Sequence, residues 1–449
     1  MIRILLGDIA EALGCRAPVD DVAIDAIATD SRKVHHGTLF AALPGSNVDG
    51  HDYAASAVEL GANALLVSRP VDLDVPQLLV DDVLIALGRI ATLLRQRLDP
   101  VVVGITGSNG KTTVKEMVAS ILRLESDVLA TLGNYNNELG VPLSLFRLEQ
   151  KHRYAVLEMG ASKSGDIAYL AKIARPDIGL ITNIGPAHLR GFGSEEGVAR
   201  AKGELYGALS SDGTAIINAD EPWSELWAGM NTAGHSLTFG SRDGSDVQLI
   251  SDNGGARILT PAGEFEPQLA LPGRHNLINA AAATAVALAL NIDLSKICEG
   301  LESVKPVPGR LNMLRTGAGW TVIDDTYNAN PASLYSALQV LSGLQGAPWL
   351  VLGDMKELGE DSLKMHREVG FAAKALGVRR LFTTGEFSAY TAEAFGEGAA
   401  HYENREELAA ELSNCLHPDV ICLVKGSRSM GMETIVASIL EAAKLREAS

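Results

Sequence analysis

The chain has 449 residues, room for two to four domains at roughly 100–200 residues each. Hydrophobic residues make up 47% and charged residues 21%, a globular composition with ample core, and few aromatics beside many Ala, Gly, Leu and Val suit helices stacked over parallel strands. The net charge of −17 argues against non-specific binding to nucleic acid or anionic membrane, while a locally positive site for an anionic substrate stays open.

The first block, residues 1–98, alternates short strands and helices, with GTLFAAL and NALLVS as strands around the helical DYAASAVELGA. Its start, MIRILLGDIAEALG, carries an apolar patch interrupted by Asp8 and Glu11, which is neither a signal peptide nor a transit peptide. RQRLDP, ahead of the next strand, reads as a linker. The second block, residues 99–307, has strands at VVVGITG, YAVLEMG, IGLITNIG and TAIIN with helical patterns between most of them. This βα alternation predicts a mainly parallel, helix-covered sheet. KPVPGR, ending at Arg310, is rich in Pro and Gly and marks a boundary. The third block, residues 308–449, repeats the alternation at WTVIDD, PWLVLGD, RLFTTG and VICLVKG and predicts a smaller, Rossmann-like α/β domain. The most apolar helical stretch, Ala280 to Leu290, is about half a membrane span. Cys15, Cys298, Cys415 and Cys422 are scattered without metal-site spacing, the pattern of reduced thiols. A soluble cytoplasmic protein is expected.

GITGSNGKTT, Gly104 to Thr113, stands between the apolar run VVV and the helical VKEMVASIL. A phosphate loop reads G-x-x-x-x-G-K-[ST]; Gly110, Lys111 and Thr112 fit its end, while Ile105 occupies the first glycine's slot. The chemistry survives that shift. Gly107 and Gly110 permit a tight turn that exposes backbone N–H groups, and the following helix offers its N-terminus to an anion. Lys111 would reach β- and γ-phosphates and Thr112 a magnesium ion. A glycine turn joining strand to helix would look the same in outline.

Other segments carry polar groups where a core element would not. LGNYNNELGVPLSL offers the amides of Asn134, Asn136 and Asn137, suited to a sugar or peptide, or to a turn. Glu158 ends the strand YAVLE, at the sheet edge where ligands bind in open α/β folds, and a carboxylate there can hold Mg²⁺ or simply be solvated. His188 follows another strand end, and a lone histidine is more often structural. Lys202, in RAKGELY, reads as a solvated helix lysine. Asn276 and Asn279 share a helix face and can read an adenine edge or ribose, or cap the helix. In VIDDTYNANPAS, an acid at the strand end can bind ribose hydroxyls, and Tyr327, Asn328 and Asn330 can hold a peptide or base. Lys425 and Arg428 are anion contacts or surface charges. In DSRKVHHGTLFAALPGSNVDGHDY, Ser31 and Arg32 could bind a diphosphate, and Asn47, Asp49 and His51 uridine or neighbouring loops.

Several of these segments together resemble the Mur ligase superfamily, which also contains folylpolyglutamate synthetase: TGSNGKTT as its ATP loop, and HNLIN as its nucleotide-contacting H-N-x-x-N. NYNNELG, VIDDTYNANPAS, VLGDMKELGE and VKGSRSMGME resemble the branch that adds D-alanyl-D-alanine. The N-terminal segment is similar to the UDP-binding domain of the later Mur ligases, a module that folylpolyglutamate synthetases lack. The D-N-P-R motif often carried by the ligase for the third amino acid is absent. The resemblance spans all three blocks.

It implies a small UDP-substrate domain, a central ATPase domain and a C-terminal ligase domain. The activity implied is ATP- and Mg²⁺-dependent amide ligation of D-alanyl-D-alanine to UDP-N-acetylmuramoyl-tripeptide through an acyl phosphate, giving the UDP-pentapeptide precursor of peptidoglycan. Another amide ligase of the superfamily, acting on a single amino acid or a folate, is the nearest alternative; a nucleotide switch is the more distant one. Lys111, His188 and Arg310 take the catalytic roles. Gly107, Ser108, Asn109, Gly110, Thr112 and Thr113 join Lys111 around the nucleotide, with Asn276, Asn279, Arg310 and Asp325. Thr112, Glu158, His188 and, if carbamylated, Lys202 hold metal. Ser31, Arg32, Asn47, Asn134, Asn136, Asn137, Tyr327, Asn328 and Asn330 contact substrates. A cytoplasmic monomer without nucleic-acid partner or membrane insertion is expected.

Overall fold

Val101–Thr106, the strand before the glycine loop, is apolar as far as Ile105 because it lies deep in a sheet covered on both faces. The computed structural model describes residues 1–17, 19–45, 48–186, 189–252 and 255–447. Val102 and Val103 point to opposite faces. Val102 joins a core with Leu170 and Leu205, whereas Val103 packs with Met117 and Ile121 of the helix Lys111–Arg123. His152–Glu158 and Ile178–Ile181 flank the strand in parallel, and Asp127–Ala130, Thr214–Asn218 and His235–Gly240 extend the parallel array. The alanine-rich helix Arg274–Ala289 is buried on most sides, and its small side chains let it lie against Lys111–Arg123.

The mainly parallel sheet expected from the sequence therefore forms, but it is longer than the sequence pattern indicates. Val247–Asp252 joins the edge in parallel, and Gly255–Thr260 and Gly263–Phe265 follow as an antiparallel meander, completing nine strands among the described residues. These short strands alternate polar and apolar residues on an edge, a weaker signal than a buried parallel run.

In the N-terminal region, Ala26–Ala28, Thr38–Ala41, Ala62–Val67 and Gln77–Leu79 form a parallel four-stranded sheet. RQRLDP is not a linker. Its first four residues close the helix Val83–Leu98, which starts at an Asp82 cap on the Ile85 N–H. Arg95, buried, donates to the carbonyls of Ala174 and Arg175 and pairs with Asp99 and Asp177. Leu6, Leu66 and Leu87 share one continuous core with Leu157 and Leu170 of the central region. A buried arginine and a common core fix these two regions to each other.

The C-terminal region has its own cores, built from residues 311 onward. Thr321–Asp325, Val420–Lys425, Ala347–Gly353, Arg380–Thr384 and Ala399–Tyr402 are parallel, and Asn312–Arg315 adds an antiparallel edge. The carboxyl ends of strands from this sheet and from the central one face the same cavity. Among the described residues no helix is long and apolar enough to cross a membrane, and all four cysteines are free thiols.

Candidate active site

The cavity between the central and C-terminal regions has a volume of about 1160 Å³. Its floor is the glycine loop, held in shape by its neighbours. Gly107 and Gly110 have φ of 146° and 81°, backbone geometry that favours glycine. A Cβ on Gly107 would collide with the Thr182 hydroxyl, and one on Gly110 would lie 2.7 Å from Asn279 Oδ1. The Asn109 N–H donates to Asn183 Oδ1 (3.0 Å), while Thr182 Oγ1 and Asn183 Nδ2 donate to the Asn109 carbonyl. Ser108 exchanges hydrogen bonds with Gly185. The loop is thus a preorganised cradle at the N-terminus of Lys111–Arg123, suited to phosphate oxygens.

Charge is concentrated here. Lys111 Nζ donates to the carbonyls of Gly107 (2.7 Å) and Ser108 (3.3 Å). Burial lowers its pKa, partly offset by Glu158 and reinforced by Arg310. Arg310 enters from the C-terminal side. Its NH2 donates to Thr112 Oγ1 at 2.8 Å, its guanidinium lies 4.0 Å over the Tyr327 ring, and its buried Nε has no partner among the described residues. Thr112 Oγ1 donates in turn to Glu158 Oε2 (2.7 Å), and Asn136 Nδ2 donates to Oε1 (2.8 Å). Lys202, read above as solvated, is only 3% exposed and has no hydrogen-bond or ion-pair partner among the described residues. Burial, then the charge of Lys111, holds its pKa well below the usual lysine range. Lys111, Arg310 and Lys202 thus line one cavity in a chain of net charge −17, a local cluster of basic groups suited to a polyanion.

The donor set also fits magnesium. The Thr112 hydroxyl and Glu158 carboxylate are hard oxygen ligands side by side, and the Arg310 guanidinium already places positive charge against them. Among the described residues no three His, Cys, Asp or Glu side chains cluster to hold a metal alone. Magnesium bound through few protein oxygens, phosphate oxygens and water matches that arrangement. His188 and Asn47 lie outside the described residues.

Comparison with known proteins gives this geometry a family. Residues 23–102, 105–287 and 309–428 match the models described as Mur ligase family, catalytic domain; Mur ligase middle domain; and Mur ligase, glutamate ligase domain. The chain is 40% identical to the UDP-N-acetylmuramoyl-tripeptide--D-alanyl-D-alanine ligase of Escherichia coli (strain K12), over 98% of this chain and 99% of that protein.

The chain belongs to the Mur ligase family.

Among solved structures, MurF from Acinetobacter baumannii superposes with a TM-score of 0.91 at 35% identity, covering 98% of this chain and 99% of that one. MurF from Thermotoga maritima in complex with ADP superposes with a TM-score of 0.84 at 30% identity, covering 94% and 98%.

In this Mur ligase the other sequence-derived positions divide clearly. Asn276, Asn279, Asp325, Tyr327, Asn328 and Asn330 line the cavity, with Arg310, Glu158, Lys202, Asn136 and Asn137 and the loop residues other than buried Thr112. Asn279 Nδ2 donates to Asn276 Oδ1, and Asn276 Nδ2 to the Pro272 carbonyl. Asp325 is engaged by the Leu311 N–H and by Lys425 Nζ, which also donates to the Asn328 carbonyl. Lys425 is therefore a buried internal tie, and Arg428, paired with Glu433, is exposed. Asn137 Oδ1 accepts from the Gly140 N–H, and exposed Asn134 is not part of the lining. Ser31 and Arg32 also sit away from the lining, and Arg32 forms a two-point pair with its neighbour Asp30. Asp49 accepts from the buried His51 ring (2.6 Å) and from Arg69. Among the described residues, Leu84 and Ile85 are the N-terminal side chains that reach the cavity.

Five residues escaped the sequence reading. Thr182 and Asn183 shape the loop, and their position at the end of Ile178–Ile181, beside the phosphate-loop strand, was a usable signal. Buried Lys115 donates to the Thr131 carbonyl, and Thr131 Oγ1 accepts from the Glu158 N–H, so this pair sets the end of the Glu158 strand. Glu221 lines the cavity, half-buried, and burial pushes its carboxyl up to about 7 despite a hydrogen bond from the Ile184 backbone. A carboxyl whose folded pKa is raised adds stability below its ordinary value of about 4.5 and loses it as pH rises through about 7. Glu221→Gln removes that loss, so the variant should gain on the order of 2 kcal/mol over wild type between pH 5 and pH 8. Unfolding midpoints at the two pH values read the difference; parallel curves would disprove it.

Proposed function

We propose that this Mur ligase uses ATP to join D-alanyl-D-alanine to UDP-N-acetylmuramoyl-tripeptide, releasing ADP and phosphate and leaving the UDP-pentapeptide. The carrying observation is the meeting of Lys111 and Thr112 with Arg310 from the C-terminal region beside Glu158. A phosphoryl-transfer site needs cations on both sides of the transferred group, and likeness to the D-alanyl-D-alanine-adding ligases along the whole chain supplies the substrates.

The reaction divides into two displacements. A tripeptide carboxylate oxygen attacks the γ-phosphorus of ATP, the bond to the β-phosphate oxygen breaks, and an acyl phosphate forms with ADP as leaving group. The dipeptide's neutral amine then attacks the acyl carbon, phosphate leaves, and the amide nitrogen loses a proton. The first step brings two anions together. Lys111 neutralises charge from the loop side, and Arg310 does so from the other domain. Magnesium, when bound, supplies further charge neutralisation on the phosphates, with Thr112, Glu158, His188 and, if carbamylated, Lys202 as its protein partners. Asn276, Asn279 and Asp325 bind the nucleoside, and Ser31, Arg32 and Asn47 bind the UDP end. Asn134, Asn136, Asn137, Tyr327 and Asn328 serve the peptide parts, and Asn330 closes that loop as the cap of the helix that follows. Residues 1–98, 99–307 and 308–449 thereby act as UDP-substrate, ATP and ligase domains of a cytoplasmic monomer.

Phosphate release from MgATP, measured with UDP-N-acetylmuramoyl-tripeptide and with or without D-alanyl-D-alanine, tests the reading. Release that needs both acceptors, with the UDP-pentapeptide detected by mass spectrometry, is expected. Turnover indifferent to the dipeptide would reject the acceptor assignment and direct the search to single amino acids and folates.

A further inference from the structure

The C-terminal region touches the phosphate loop through two side-chain hydrogen bonds among the described residues. One is Arg310 to Thr112. The other is Asn330 Nδ2 donating to Asn109 Oδ1 at 2.8 Å. The second has no role in charge neutralisation, yet both of its partners are unusually well fixed.

On the loop side, the Asn109 N–H and carbonyl are both held by Thr182 and Asn183. The backbone has no freedom to follow the side chain, so the Asn109 amide is presented to the opposite domain from a rigid base. On the other side, Asn330 is the N-cap of the helix Pro331–Ser342. Its Oδ1 accepts from the Ser333 N–H (2.9 Å), and Ser333 Oγ accepts from the Asn330 N–H (3.1 Å), forming a reciprocal capping box. The segment leading into it is tied down as well, because Lys425 donates to the Asn328 carbonyl. Asn330 is 9% exposed. Its amide oxygen is committed to the helix and one amide hydrogen to Asn109, which leaves little of this side chain for a peptide substrate.

We infer that Asn330 is a positioning residue, and that its bond to Asn109 sets the register between the acceptor-side loop Tyr327–Asn330 and the phosphate loop when the C-terminal domain is docked. This deepens the ligase reading and rests on it for the acceptor's identity. The bond joins two preformed surfaces, so it orders little on forming and is lost as a unit when the domains separate. Its effect falls on the geometry of phosphoryl transfer, because Arg310 rides on the same domain and reaches the γ-phosphate side only in that register.

Asn330→Ser tests this directly. Serine keeps the helix cap but cannot span to Asn109, so folding is preserved. The expected result is a three- to tenfold fall in kcat, the scale of one interdomain hydrogen bond. The KM for D-alanyl-D-alanine should stay within twofold of wild type. Asn109→Ala should cost a similar factor, and the double variant should be no worse than the poorer single one, because each change removes the same bond. Small-angle scattering with MgADP should show the same reduced compaction in both single variants. A raised dipeptide KM with unchanged kcat would overturn the inference and make Asn330 a substrate contact. Fully additive losses would overturn it too. If wild type turns over without dipeptide, the ligase reading fails separately, and the cycle on the remaining ATP turnover, together with scattering, still decides the pairing.

Discussion

Lys111→Met is expected to lower kcat for phosphate release by on the order of 10³ while leaving the protein folded. Lys111 is the cation that the loop itself brings to the phosphates, and methionine matches its length without its charge. Arg310 cannot substitute, because its NH2 is directed at Thr112 and its guanidinium sits over the Tyr327 ring. The stability response has the opposite sign. Burial disfavours the Lys111 ammonium, and Arg310 adds like-charge repulsion to that cost. Removing the charge relieves both terms, so in the absence of nucleotide the variant should melt no lower than wild type. The two readouts together separate a functional charge from a structural one. A variant that is inactive because it is unfolded would refute the assignment of Lys111 to transfer chemistry.

What the sequence made legible follows from how local each signal is. The phosphate loop needs only consecutive residues: an apolar strand, Gly107, Gly110, then Lys111 and Thr112 at a helix start. Glu158 was legible because a strand end in an open α/β sheet is a defined place. The parallel strands were legible because burial on both faces makes them continuously apolar, while the meander from Val247 to Phe265 alternates polar and apolar residues and lacks that mark. Contacts between distant segments were not readable. Asn330 and Asn109 are 221 positions apart and Arg310 and Thr112 are 198 apart, and nothing in either neighbourhood specifies the partner. Arg95 was misread for the same reason, since the carbonyls that anchor it are some 80 residues away. Lys202 is different, because its burial was recoverable. Val198, Lys202, Leu205 and Tyr206 recur at helical spacing on one buried face, so the lysine stands where an apolar residue would be ordinary.

That placement leads to the second large effect. A lysine with no ion-pair partner among the described residues, 3% exposed and beside Lys111, carries its charge at a high cost, and the fraction present as neutral amine near neutral pH is correspondingly raised. Neutral amine adds to CO₂ with loss of one proton, forming an N-carboxylate. The product replaces a third cation with an anion that can face both Lys111 and a magnesium ion, and this resolves the repulsion that the unmodified cluster contains. Protein kept free of CO₂ is therefore expected to lose most of its turnover and to regain it on addition of bicarbonate, with a fall in activity as pH drops and the carbamate decomposes. Lys202→Ala should lower kcat on the order of 10²-fold, as loss of a metal-supporting group does, and bicarbonate should not restore it. The modification has its own signature, independent of turnover. ¹³C-bicarbonate should give a carbamate resonance in wild type that is missing from Lys202→Ala. Wild-type turnover indifferent to CO₂, with no such resonance, would instead make Lys202 a buried amine acting directly on substrate or phosphate, and its depressed pKa would then be the property that matters.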